Sequence, residues 1–306
     1  FRKNDGEVGS LDYREKAPIG ATRDMYLDKN TLVFGASNSG KSTIINEIMY
    51  LCKDKIPNVL VIAPSGSDSE YKRKIPELCI KDDLDKDDWI KLWNRQHFVT
   101  QLYNIANDNN VLAAVFSRVP SREANLMVDK MKQSSAQYRD IVEASGLNFV
   151  QKQHQLKKID ERLQKMLKDL YKSNINRYSK YLVDTFNAEL KSTHNREEKE
   201  EIVKRITAVE YLTINPRLML IIDDRSEMFS KWKKLFKGIE SPIEMIFYRG
   251  RHNYITAIIA SHDDKLLETE LRKNARVTIY TDEAALTCSL NKQQSGFAPQ
   301  EKKLMF

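Results

Sequence analysis

Cysteine is scarce. The 306-residue chain holds three, Cys52, Cys79 and Cys288, far apart and without a CxxC pair. That usage offers neither a disulfide framework nor a zinc site, and it fits a reducing compartment. Glycine and proline are also few, at 10 and 8 residues. Between 121 and 210 there is no proline and one glycine, Gly146, so little there interrupts a helix. No apolar run approaches the ~20 residues that a helix needs to cross a bilayer. The chain is therefore not expected to be an integral membrane protein. No secretory signal pattern is visible. The chain opens on Phe1 rather than Met, which leaves open what precedes it. Internal repeats are absent as well.

Apolar residues make up 41% of the chain, enough for a core, and charged residues make up 30%. Length allows one large α/β domain or two small ones. The formal charge of +7 and pI near 9.0 lean toward a polyanionic partner. Most of the excess is local: residues 151–180 carry nine Lys/Arg against three Asp/Glu. A solvated helix face explains that run as well as a nucleic-acid contact does.

Residues 1–30 read as an irregular, polar lead-in. Thr31–Phe34 is β-prone and runs into a glycine loop, and Thr43–Cys52 follows with helical spacing of Ile44, Ile45, Ile48 and Met49. Val59–Ala63 is a continuous apolar run, as in a buried parallel strand. Residues 82–118 read as mostly helical. Strand patterns return at Leu218–Ile222, Tyr254–Ala260 and Arg276–Thr281, alternating with helical stretches at 227–240 and 263–274. The predicted fold class is α/β, a P-loop NTPase with a mainly parallel sheet flanked by helices. The P-loop domain would span 31–306, interrupted at about 121–210 by a long basic helical insertion. Within it Phe149, Leu156, Ile159, Leu163, Met166 and Leu170 follow a heptad-like spacing. That stripe either packs on its own domain or meets a partner helix.

Four elements carry chemistry. Gly35-x-x-x-x-Gly40-Lys41-Ser42 matches the Walker A pattern between a strand and a helix. Its glycines let successive N–H groups turn toward phosphate oxygens, and the helix start adds a positive dipole end. Gly35, Ser37, Asn38, Ser39, Gly40, Lys41, Ser42 and Thr43 are the candidate nucleotide-binding residues. Lys41 is expected on the β- and γ-phosphates and Ser42 on Mg²⁺. Leu218–Asp224 is a Walker B pattern, five apolar residues ending in two acids. Asp223 would orient Mg²⁺, and Asp224 stands where a water-polarising acid is needed. Glu227, one turn on, is a secondary candidate. The two acids could instead serve only as a helix cap. The next strand ends in Ser261-His262, either of which could sense a γ-phosphate, and His262 could equally be a cap neighbour. Finally, Arg249-Gly250-Arg251-His252 offers an arginine to a neighbouring subunit's nucleotide, with Arg251 ahead of Arg249. Arg272 and Arg276 are weaker candidates, and a basic surface turn is the plainer reading.

Together these elements resemble the genome-packaging ATPases of large cytoplasmic DNA viruses, the poxvirus-type branch of the FtsK–HerA superfamily. The resemblance rests on the P-loop, Val61-Ile62-Ala63-Pro64, Ile222-Asp223-Asp224, Gly250-Arg251-His252 and Arg272-Lys273-Asn274. It covers roughly 30–80 and 215–285, and it departs at Ser261-His262, where the family usually carries Gln. It implies ATP and Mg²⁺ as ligands and a hexameric or pentameric ring. It also implies non-sequence-specific grip on double-stranded DNA and a role in capsid filling at cytoplasmic assembly sites or in the virion. Capsid or inner-membrane proteins of the virion would be further partners. Two other readings stay open. One is a nucleotide-gated scaffold of virion assembly, the other a small-molecule P-loop kinase.

Overall fold

The computed structural model describes residues 21–65, 68–225, 228–238, 240–262, 267 and 269–290. The chain divides into two compact units, residues 1–97 with 216–306, and residues 98–215.

The first unit is built on a parallel sheet. Its strands are β1 (Asn30–Phe34), β2 (Asn58–Ile62), β3 (Ile80–Lys81), β4 (Leu218–Asp223), β5 (Ile255–Ser261) and β6 (Val277–Tyr280). Their spatial order is β3-β2-β4-β5-β1-β6, and every pairing is parallel. Alternate side chains serve opposite faces, as the period of two requires. Leu32, Phe34, Leu220, Ile222, Ala257 and Ile259 enter one apolar cluster. Val33, Met219, Ile221, Ile258 and Ala260 enter the other. Both faces are thus covered, which is why these strands read as continuous apolar runs.

The helices of this unit begin with α1 (Arg23–Tyr26), α2 (Lys41–Cys52) and α3 (Asp68–Lys72), followed by the first half of α4 (Lys86–Asn107). From α2 and α3, Ile45, Ile48, Cys52 and Tyr71 join the second cluster. The chain returns after the second unit with α10 (Met228–Leu235), α11 (Pro242–Arg249), α12 (Thr269–Lys273) and α13 (Glu283–Leu290). Trp89 of α4 meets Trp232 of α10 edge-on at 5.1 Å, deep in the first cluster. Buried Asn30, at the start of β1, donates to the Phe247 carbonyl at 2.8 Å.

The second unit, 98–215, is helical: the end of α4, then α5 (Asn109–Phe116), α6 (Arg122–Ala144), α7 (Phe149–Arg177), α8 (Ser179–Ser192) and α9 (Arg196–Glu210). Caps set the helix starts. Asp108 accepts from the Asn110 and Val111 amides. Asn148 and Gln151 form a reciprocal capping box at the head of α7. Leu112, Phe116, Leu167, Ile175, Leu182, Phe186 and Ile202 form the core.

The structure moves several expected boundaries. β3, α11 and α13 were not apparent in the sequence pattern. Two residues are too short a strand to show a period, and the sequence of α13, Glu283–Leu290, has no clear apolar stripe. The lead-in expected over 1–30 lies outside the described residues up to 20, and its remainder holds α1 and the first residue of β1. The heptad stripe on α7 is corrected. Leu163 and Leu170 do pack on their own unit, but the buried positions of α7 are Leu167 and Ile175. Phe149 is 76% exposed and Met166 41%. Leu156, Ile159, Leu163 and Leu170 are half-buried, so the middle of the stripe faces protein and its first residue does not.

Candidate nucleotide site

The sheet order places β1, β5 and β4 side by side, so their C-terminal tips form one ledge. Ligands of parallel α/β sheets bind at such edges. The loop after β1 turns into α2 through Gly40, whose φ of 98° is the left-handed conformation that glycine adopts without strain. Asn38, at φ 61°, shares that region, which asparagine tolerates better than most residues. Gly35 is needed for another reason: a Cβ there would collide with the side chains of Thr281 and Ser39. Ser37 and Asn38 are exposed at the loop crest, with Ser39 and Gly40 half-buried. Ser42 and Thr43 lie in the first turn of α2, where backbone N–H groups have no partner within the helix.

Lys41 is buried, at 5% exposure. Its ammonium curls back over the loop and donates to the carbonyls of Gly35 at 2.9 Å and Ala36 at 3.0 Å. It also lies 3.3 Å from His262 Nδ1 and 3.7 Å from Asp224 Oδ1. His262 Nε2 in turn lies 3.3 Å from Asp224 Oδ2. A neutral imidazole with its proton on Nε2 satisfies both neighbours, accepting from the ammonium and donating to the carboxylate. Lys41, His262 and Asp224 therefore close a three-membered polar ring across the tips of β1, β5 and β4. Asp224 takes φ 49°, an unusual conformation for a non-glycine residue at a strand end. Among the described residues its buried Oδ1 has no hydrogen-bond partner and faces the Lys41 ammonium at 3.7 Å.

Asp223 is 3% exposed and accepts a hydrogen bond of 2.7 Å from the Tyr71 hydroxyl. Burial pushes the Asp223 carboxyl above its ordinary pKa. The Tyr71 hydrogen bond pulls the other way, and the Asp224 charge adds to the rise. The Tyr71 hydroxyl is driven up as well, first by burial and then by the Asp223 charge.

A nucleotide with Mg²⁺ fits this donor set. The glycine loop is a cradle that a side chain at position 35 would close. A buried ammonium held by carbonyls, a buried carboxylate and a second carboxylate 3.7 Å from that ammonium stand together at its rim. Such groups are costly to bury without compensating charge.

Not every candidate converges here. Arg249 and Arg251 lie before β5, at the opposite edge of the sheet. At about 3.3 Å per residue the seven residues of β5 separate the two edges by roughly 20 Å. Arg249 pairs with Glu240 at 3.7 Å, and Arg251 Nε donates to His252 Nε2 at 3.1 Å. Arg251 lines a cleft of about 540 Å³ with Lys29, Tyr248, Lys273 and Arg276. Neither arginine reaches the glycine loop of this chain. Ser261 is fully buried and its carbonyl accepts from the Gly35 amide at 3.2 Å, while the His262 ring lies against Lys41. Glu227 lies outside the described residues.

Three residues of the neighbourhood had drawn no attention. Asp282, after β6, accepts from the Ala36 amide at 2.6 Å and from the Ala285 amide at 2.7 Å. These two backbone donors, the Ala285 one foremost, hold its carboxyl below the usual range. Thr281 hydrogen-bonds Ser39 through their hydroxyls. The rule that singles out Asp223, an acid at a strand tip, could also have found Asp282. Tyr71, a lone aromatic in a five-residue helix, carries no such signal.

The chain is similar to African swine fever virus proteins described as uncharacterized protein B354L. It is 27% identical to that of isolate Warthog/Namibia/Wart80/1980, over 91% of this chain and 73% of the relative. It is 26% identical to that of strain Badajoz 1971 Vero-adapted, with the same coverage. No family model matches. Among solved structures, the cytoplasmic domain of EssC aligns over 89% of this chain at 12% identity with a TM-score of 0.37. The chain spans 37% of that structure's length. No helix among the described residues is long and apolar enough to cross a membrane.

Proposed function

We propose that this chain is an ATP-hydrolysing P-loop motor that moves double-stranded DNA, with filling of a viral capsid as its task. The observation that carries the reading is the meeting of Lys41, Asp223, Asp224 and His262 at the tips of three neighbouring parallel strands. In this reading the loop from Gly35 to Thr43 holds the triphosphate, and Lys41 leaves its carbonyl partners for the β- and γ-phosphates. Ser42 and Asp223 would hold Mg²⁺, which would supply charge to offset that on the phosphoryl oxygens. Asp224 orients the attacking water, and His262 holds Asp224 and reports the γ-phosphate. Arg251, remote from its own P-loop, serves the nucleotide of a neighbouring subunit in a ring. The DNA grip is to backbone phosphates, since a packaging motor must accept every sequence. In this proposal the second unit is an insertion into the ATPase domain. The working location is the cytoplasmic assembly site or the virion.

One observation favours a second reading, a nucleotide-gated scaffold. Asp224 faces Lys41 and His262, and an acid so engaged is not free to polarise water. Steady-state ATP hydrolysis with and without long double-stranded DNA, at low and moderate salt, separates the two. A motor gives a several-fold rise with DNA that fades as salt increases. ATP binding without turnover, with or without DNA, would replace the motor by the scaffold.

A further inference from the structure

Tyr71 sits where a core aromatic and a metal-site residue meet. Its ring is 1% exposed and belongs to the apolar cluster beneath α2 and α3. Its hydroxyl is the one polar atom of the side chain, and it is spent on Asp223 Oδ2 at 2.7 Å. A phenylalanine would fill the same space, so packing alone does not ask for the oxygen. The next residue back on α3, Glu70, accepts from Asn46 Nδ2 of α2 at 2.6 Å. The short helix is thus pinned on one side to the helix that follows the P-loop and on the other to the buried acid of β4.

We infer that Tyr71 is a positioning residue for the metal. It fixes the Asp223 carboxylate by occupying one oxygen and so aims the other toward the ledge. The inference rests on the nucleotide-site reading above. A carboxylate held at one oxygen by a rigid, buried donor has lost rotation about its χ2 before the ion arrives. Groups that orient a ligand in this way typically change metal affinity by ~10–100-fold when removed. Because Tyr71 and Glu70 lie on one turn, the Asn46 contact ties the same aim to α2.

The test uses the full chain with Mn²⁺ as the probe and a non-hydrolysable ATP analogue. Mn²⁺ binding is followed by electron paramagnetic resonance in the wild type, Tyr71→Phe and Asp223→Asn. Tyr71→Phe should weaken Mn²⁺ binding about tenfold or more. Its analogue affinity in EDTA and its circular dichroism spectrum should match the wild type. Unchanged Mn²⁺ affinity in Tyr71→Phe, beside a clear loss in Asp223→Asn, overturns the role of Tyr71 and leaves the metal site standing. Wild-type Mn²⁺ affinity in Asp223→Asn overturns the metal assignment itself and the inference with it. A Tyr71→Phe chain that loses its fold, or loses metal-free nucleotide binding equally, makes Tyr71 a scaffold residue and also overturns the inference.

Discussion

The two units treat charge in opposite ways. In the sheet unit two charged side chains are buried among the described residues, Lys41 and Asp223, and both stand at the C-terminal edge of the sheet, beyond β1 and at the end of β4. In the helical unit the buried polar residues are Thr100 and Ser135, and its charged groups stay at the surface. Burying an ion costs several kcal/mol unless it is paired, and nothing in a packing argument asks for Lys41 or Asp223. A fold that retains both is bearing a cost that a charged ligand would offset. The nearest case in the helical unit is half-buried Lys172, whose ammonium donates to Asn107 Oδ1. The core of this unit is apolar, its helices are capped, and its ion pairs, such as Arg139–Asp160 at 2.6 Å, are half-exposed.

The contrast breaks most sharply at Lys41. Lys41→Ala should bring ATP turnover to background while the circular dichroism spectrum stays that of the wild type, because the ammonium faces the loop and not the core. Retained turnover would remove the P-loop assignment. Next in size is Arg251→Ala. A finger acting across subunits is worth ~10³-fold or more in rate, with ATP binding kept. Equal mixtures with wild type should show mutual inhibition in a steady-state assay. A variant that turns over normally takes Arg251 out of the site and leaves the cleft at the far sheet edge without a catalytic part.

Phe186→Ala tests the other side of the comparison. Phe186 is fully buried in the helical core, and such truncations cost ~3–5 kcal/mol. Urea unfolding followed by helical signal should show that loss. An effect under ~1 kcal/mol would mean that this core tolerates collapse far better than its burial indicates. The smallest effect is expected from Arg139→Ala. The exposed pair with Asp160 contributes at most ~1 kcal/mol, and added salt should shrink the difference further. A larger change would show that the surface charges of this unit are a network and not a solvated face.

Much of the site was legible in the residues. The glycine spacing before Lys41 and the acid pair after Leu218–Ile222 are local signals, each tied to one strand end. They predict the sheet edge because a parallel strand delivers its last residues there. His262 was ambiguous for a related reason: a strand-tip histidine looks the same in sequence whether it caps a helix or meets a lysine 221 positions away. Tyr71 and Asp282 were invisible or overlooked, since each matters only through a partner on a distant strand or loop. The stripe on α7 left two readings open because a spacing of three and four fits both a helix packed on its own domain and one that meets a partner; Leu163 and Leu170 pack on their own unit.

What the sequence determined by itself was everything with a short period or a fixed local motif. That covers the α/β class, the glycine loop and its following helix, the acid-tipped strand and the helical run with no proline and one glycine. These follow from backbone preferences and apolar periodicity, which act within a few residues. What only the tertiary structure decided was adjacency. The order β3-β2-β4-β5-β1-β6 sets β5 between the P-loop strand and the acid-tipped strand. That placement joins Lys41, His262 and Asp224 and carries Arg251 to the opposite edge. Adjacency of this kind depends on which strands pair, a choice made by burying both faces of the sheet at once, and no local stretch of the chain holds that information.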